Sequence, residues 1–149
     1  MKSRYNSMRI LCTFFIIAIA LMVTPDAFAT ENPQQCDIQK ASCIAMINDN
    51  VKIEFDIRPK PVAAMTGSTF VVIITRNGMP IKDASIHLDL SMPHMFMGKN
   101  QPILKQVKDA RYEGKGIITR CASGRKTWQA DVVVSNGKTV TGAFVFEVQ

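Results

Sequence analysis

From residue 51 onward, apolar and polar side chains alternate along short segments that are separated by turn residues. Successive side chains of a β-strand point to opposite faces, so a period of two indicates strands with one buried face. The predicted strands are residues 51–57, 68–76, 86–91, 102–107, 111–119, 128–134 and 140–148. This spacing predicts an all-β fold, an immunoglobulin-like antiparallel β-sandwich of about seven strands, with Trp128 as a core ring.

The first residues have the features of an export signal. Three basic residues within the first nine positions precede an apolar run at residues 10–23, and a small-x-small motif ends at Ala29. The run is shorter than the about 20 residues that a membrane span needs. We therefore expect a signal peptide at residues 1–29 and a periplasmic or secreted protein. An uncleaved N-terminal membrane anchor is the alternative.

The remaining chain is predicted to contain one domain at residues 51–149, preceded by an N-terminal extension at residues 30–50. The extension lacks the period of two, and residues 37–47 are compatible with one or two helical turns. This length can bury a sound core, but it is too short for a two-domain enzyme or an α/β barrel.

Three cysteines remain after removal of the signal peptide: Cys36, Cys43 and Cys121. An oxidising compartment favours one disulfide and leaves one thiol over. A Cys36–Cys43 bridge would close the smallest loop, whereas a bridge to Cys121 would hold the extension against the domain. The sequence leaves all three pairings open.

The charge of the chain argues against nucleic acid as a partner. The formal net charge is +6, and removing the three basic and one acidic residues of the signal peptide leaves +4. The basic residues are scattered, without the clustered patch or stripe that binds phosphate backbones.

No pattern of an enzyme is present. His87, Asp89 and Ser91 are residue types of a catalytic triad, but they follow one strand at spacings of two. His87 would then lie about 6.6 Å from each of the others, too far for the hydrogen bonds of a triad. A solvated outer strand face is the better interpretation, and we expect no catalytic residues.

The segment at residues 92–100 is the most informative for function. Met92, Met95 and Met97 lie within six residues, and His94 stands among them. Thioethers are soft, neutral ligands that select Cu(I), and they need no deprotonation to bind it. His94 could add a nitrogen, which would also allow Cu(II). The alternative is that these methionines are flexible apolar filler that seals the end of the sandwich.

The direction of the strands adds a second inference. If successive strands alternate in direction, the loops at residues 58–67, 92–100 and 121–125 share one end of the sandwich. Met65, the methionine segment and Cys121 would then be neighbours. We therefore include Met65 among the candidate copper ligands, together with the three methionines and the histidine.

Three motifs resemble the YtkA-like domain family, which is related to the FixH proteins of bacterial respiratory-oxidase clusters. They are the LDLSMPxMxMGxN segment at residues 88–100, RYEGxG at residues 111–116 and RCxSGRxxW at residues 120–128. The resemblance covers residues 51–149. It implies an immunoglobulin-like sandwich outside the cytoplasmic membrane and a link to copper handling or oxidase maturation. FixH-type proteins look membrane-anchored, and they differ in this from a chain with a cleavable signal.

Two functional hypotheses result. The first is an exported copper-binding module of the carrier or chaperone type, with a membrane-bound oxidase or a copper-handling protein as its partner. The second is a metal-free interaction domain of a cell-envelope complex, with the methionine segment as an adaptable contact surface.

Overall fold

The computed structural model describes residues 32–149, which belong to one compact unit, Glu31–Gln149. The predicted signal peptide and its cleavage site lie outside the described residues. Within residues 32–149, no helix reaches the length and hydropathy needed to cross a bilayer.

The described residues form ten strands arranged in two sheets that pack as a sandwich, which confirms the predicted all-β class. The strands are β1 (Gln34–Gln35), β2 (Cys43–Ile47), β3 (Val51–Arg58), β4 (Gly67–Arg76), β5 (Met79–Pro80), β6 (Ser85–Ser91), β7 (Lys105–Lys108), β8 (Arg111–Ile117), β9 (Thr127–Asn136) and β10 (Lys138–Glu147). A 3₁₀ turn at Asn48–Asn50 joins β2 to β3.

The first sheet has the strand order β1-β10-β9-β6, and the second has the order β2-β3-β4-β8-β7 with β5 paired to β4. β1 runs parallel to β10, whereas the other pairs are antiparallel. The chain therefore enters the first sheet with β1 and crosses to the second sheet with β2.

Aromatic side chains from both sheets fill the core. The ring centroid of Phe55 on β3 lies 5.7 Å from that of Phe144 and 5.9 Å from that of Phe146, both on β10. Trp128 on β9 has no exposed surface, as predicted for the core ring. Rings this close add offset or tilted stacking to the burial of their apolar area.

All seven predicted strands are present, and the sequence missed the three others. β1 and β5 have only two residues each, too few to show a period. β2 occupies part of the segment for which helical turns were predicted, so that prediction was wrong for residues 43–47. The cause is that Ile44 and Met46 point outward, with 40% and 62% of their surface exposed, so that apolar residues stand on both faces of the strand.

The N-terminal segment is fixed to the sandwich by a disulfide and by side-chain hydrogen bonds. Cys36 and Cys43 form the disulfide, which settles the pairing and leaves Cys121 as a buried free thiol among the described residues. The side chain of Gln39 donates to the carbonyl oxygen of Val62 and accepts from its N–H, at 3.0 and 2.7 Å. A disulfide of this kind is typical of an oxidising compartment.

Lys60 joins the same segment to β3. Its ammonium group donates to the carbonyl oxygens of Ile38 and Ala41 and lies 3.0 Å from the Asp56 carboxylate. Burial raises the pKa of Asp56, but hydrogen bonds from Lys60 and Arg58 outweigh it and hold that pKa below its ordinary value.

Candidate functional site

Three loops meet at one end of the sandwich, as the alternation of strand direction predicted. The loops are residues 59–66, 92–104 and 118–126. The N–H of Met65 donates to the carbonyl oxygen of Ile118 at 2.7 Å. The side-chain amide of Asn100 donates to the carbonyl oxygen of Ile117 at 3.0 Å. These bonds hold the first and second loops against the end of β8, from which the third loop begins.

A tight turn positions the methionines. The N–H of Met95 donates to the carbonyl oxygen of Met92 at 3.1 Å, and the two residues form an antiparallel bridge. Pro93 and His94 are the central residues, and His94 has a φ of 62°. Proline first and a positive φ second are the features of a type II turn. The turn reverses the chain so that Met95 lies beside Met92 but outside the core.

The turn brings two sulfur atoms together. The Cys121 thiol donates to the thioether sulfur of Met95 over an S–S distance of 3.4 Å. The same thiol lies 3.0 Å from the Ser123 hydroxyl. Met95 is half-buried and packs against the core, and Cys121 has 4% of its surface exposed. A thioether and a thiol from different loops therefore form the centre of the candidate site.

The surroundings of Cys121 favour its thiolate. Hydrogen bonds from the Ser123 hydroxyl and N–H lower the pKa of the Cys121 thiol, burial opposes them, and the N–H and charge of Arg125 lower it further. A lowered pKa increases the fraction of thiolate, which is the form that binds metals.

The other predicted ligands differ in their burial. Met97 is half-buried and packs against the core, His94 is exposed, and Met65 has 62% of its surface exposed. Met92 has 3% exposed and belongs to the core, so its sulfur can reach an ion only if the turn opens. Among residues 32–149, no group of three His, Cys, Asp or Glu side chains is placed to hold a metal ion.

A pocket of about 250 Å³ opens beside Cys121. Its wall includes Ala64, Arg120, Arg125 and Lys126. Cys121 forms part of the same wall, so the pocket connects it to solvent. Its three cationic side chains make the approach electrostatically positive.

Sequence reasoning missed Cys121 as a partner of Met95. It placed both residues at the same end of the sandwich, but it selected only methionines and His94 as ligands. Only the direction of the strands could have indicated this contact. The two residues are 26 positions apart, so no short sequence motif contains both.

No family model, no curated protein and no solved structure matches the chain. The resemblance to the YtkA-like family stays a prediction from the three motifs.

Proposed function

We propose that the protein is an exported copper-binding module of the carrier or chaperone type, with no catalytic step. Met95 and Cys121 are the primary ligands in this proposal, and Cu(I) is the cargo. The observation that carries it is the 3.4 Å distance between the two sulfur atoms, which come from separate loops.

The chemistry of the pair favours a monovalent ion. Thioether and thiolate sulfurs are soft ligands that select Cu(I). A thiolate neutralises one positive charge, so Cu(I) at this site leaves no excess charge near Arg120, Arg125 and Lys126. A divalent ion would leave one, and the three neighbouring cations oppose it. Hard oxygen-seeking ions find no Asp or Glu side chain among the residues that line the pocket.

The spacing of the two sulfurs is close to what a metal ion needs. At a metal–sulfur distance of about 2.3 Å, the value for zinc thiolates, two ligands at 120° lie about 4 Å apart. The pair must therefore open by roughly half an ångström. Met95 has three flexible side-chain torsions and is half-buried, so its rotation can provide this movement.

Additional ligands are available in the same loops. Met97 lies two residues after Met95, while His94 and Met65 are exposed and free of the core. Met92 joins the set only if the turn at residues 92–95 opens. A site with one firm pair and several adaptable ligands suits a protein that receives an ion and passes it on.

The predicted compartment and partner belong to the same proposal. The predicted signal peptide and the Cys36–Cys43 disulfide support periplasmic or secreted localisation. The motif resemblance supports a membrane-bound oxidase or a copper-handling protein as the partner.

Anaerobic titration with Cu(I) against a competing chelator tests the proposal. No thiol reductant is added, because opening the Cys36–Cys43 disulfide would create two new ligands. We expect one ion per chain, and an affinity loss of about tenfold or more in Cys121→Ser and in Met95→Leu. Met79→Leu is the matched control, since Met79 is 66% exposed and lies next to the turn at the other end of the sandwich.

The double variant that combines Met95→Leu with Cys121→Ser decides the outcome. If it binds Cu(I) as tightly as the unmodified protein does, the site is elsewhere or absent.

The metal-free interaction domain is the second candidate. Two observations favour it: Met92 is part of the core, and Phe96 in the same segment has 91% of its surface exposed. This alternative predicts that the protein does not bind copper and that replacing Met92, Met95 and Met97 by leucine leaves partner capture intact.

A further inference from the structure

The loop end of the sandwich is positively charged. Residues 59–66, 92–104 and 118–126 carry five Lys and Arg side chains and no Asp or Glu. Lys60 is paired with Asp56, which leaves the four exposed cations that we call the basic rim: Lys99, Arg120, Arg125 and Lys126. In the described part of the chain, none of these four side chains lies within ion-pair distance of a carboxylate.

Neighbouring side chains cancel only part of this charge. The adjacent turn contributes Asp37 and Lys40, which are paired at 2.8 Å and add no net charge. Glu147 at the end of β10 is a single exposed acid. The opposite end of the sandwich is mixed, with Lys82 and Asp109 paired at 2.9 Å. The positive charge is therefore a property of one end and not of the whole surface.

An aromatic ring stands in the middle of the charged loops. Phe96 lies three residues before Lys99 and has 91% of its surface exposed. The half-buried Met95 and Met97 on either side pack against the core and hold the ring out into solvent. An exposed phenylalanine is unfavourable in water, and burying it in an apolar phase removes that cost.

We propose that this loop end docks on the surface of an anionic phospholipid bilayer. Phe96 enters the boundary between headgroups and acyl chains, and the basic rim binds the lipid phosphates. The combination of a protruding ring and surrounding cations fits a bilayer, which takes an isolated ring without needing a matching groove. An acidic protein would need a pocket shaped for that ring, and the structure gives no reason to require one.

Vesicle co-sedimentation tests the docking. The protein from residue 30 onward is suitable, because Glu31–Gln149 is a compact unit and the buried core of the described residues lies within residues 38–148. Vesicles of phosphatidylcholine alone are compared with vesicles of equal parts phosphatidylcholine and phosphatidylglycerol, in the presence of a metal chelator. We expect binding to the anionic vesicles only, and release as salt is raised.

Variants separate the ring from the charge. Lys99→Gln and Lys126→Gln should each weaken binding on the order of fivefold. Phe96→Ser should weaken it by about tenfold or more, since it removes the inserted ring. Lys108→Gln is the matched control, because Lys108 is exposed at the opposite end and should bind as the unmodified protein does.

Three results would overturn the docking. One is equal binding to both vesicle types, and another is an equal loss in the Lys108 and Lys99 variants. The third is no binding to either vesicle, which would assign the basic rim to an acidic protein face instead. The docking stands independently of copper, because Met95→Leu should bind vesicles normally.

Discussion

The hydroxyl group of Tyr112 gives a sharp test of how the two sheets are joined. The N–H of Ala84 donates to this hydroxyl at 2.9 Å, and the hydroxyl donates to the carbonyl oxygen of Ile81 at 3.3 Å. Tyr112 is on β8 of the second sheet, and residues 81–84 lead the chain to β6 of the first sheet. The phenol therefore fixes the crossover between the sheets.

Replacing Tyr112 by phenylalanine removes both bonds but keeps the ring, so it creates no large cavity. A neutral hydrogen bond contributes about 0.5–1.5 kcal/mol, and a buried donor left without a partner costs about 1–3 kcal/mol. The 2.9 Å bond is well formed and the 3.3 Å bond is weaker, and Ala84 is only partly buried. We expect a loss of about 2 kcal/mol in the free energy of unfolding.

Urea unfolding followed by Trp128 fluorescence measures this loss. With an m-value of about 2 kcal/mol/M, the midpoint should fall by about 1 M while the m-value stays unchanged. Lys82→Met is the control in the same crossover, since it breaks only the exposed ion pair with Asp109 and should cost less than about 0.5 kcal/mol. A Tyr112→Phe midpoint equal to that of the unmodified protein would refute the reasoning.

Three further predictions concern stability. Replacing Cys36 and Cys43 by serine opens an eight-residue loop and should cost about 2.5 kcal/mol, and a thiol reductant should shift the urea midpoint of the unmodified protein equally. Gly114→Ala should cost about 2 kcal/mol or more in urea unfolding, because its Cβ would lie 2.4 Å from the backbone oxygen of Ile103. Gly67→Ala, whose Cβ meets no atom within 4 Å, should be nearly neutral in the same assay. The pKa of Asp56 is lower in the folded chain than its ordinary 3.8, so its stabilising contribution is complete above that value and is lost as pH falls below it; in Asp56→Asn, the urea midpoint should decline less between pH 5 and pH 3 than in the unmodified protein.

Most predicted strands have a polar outer face, whereas β4 was recognised from a run of apolar, β-branched residues. In β3, Lys52, Glu54 and Asp56 alternate with buried residues, and this pattern predicted the strand directly. In β2, Ile44 and Met46 occupy the outer face, so the same backbone geometry left no alternation in the sequence. A short strand with apolar residues on both faces, such as β2, therefore has no alternation by which the sequence could reveal it.

The sequence predicted where the candidate site lies, but not which side chains form it. Strand direction placed residues 92–100 and 121–125 at one end without any knowledge of packing. The depth of each side chain depends on the turn at residues 92–95, which puts Met92 in the core and Met95 against Cys121. That choice is made by the register of β6 and the shape of the core, which a single sequence does not reveal.

The parallel pairing of β1 with β10 has a consequence for the order in which the molecule is completed. Gln34 lies opposite Phe144, so β1 can complete its pairing only after β10, more than 100 residues later in the chain, has been synthesised. While a ribosome still holds residues 138–147, β9 has no partner on one side and β1 has no strand to pair with. The first sheet is therefore complete only after β10 is released, and the docking of β1 depends on that release.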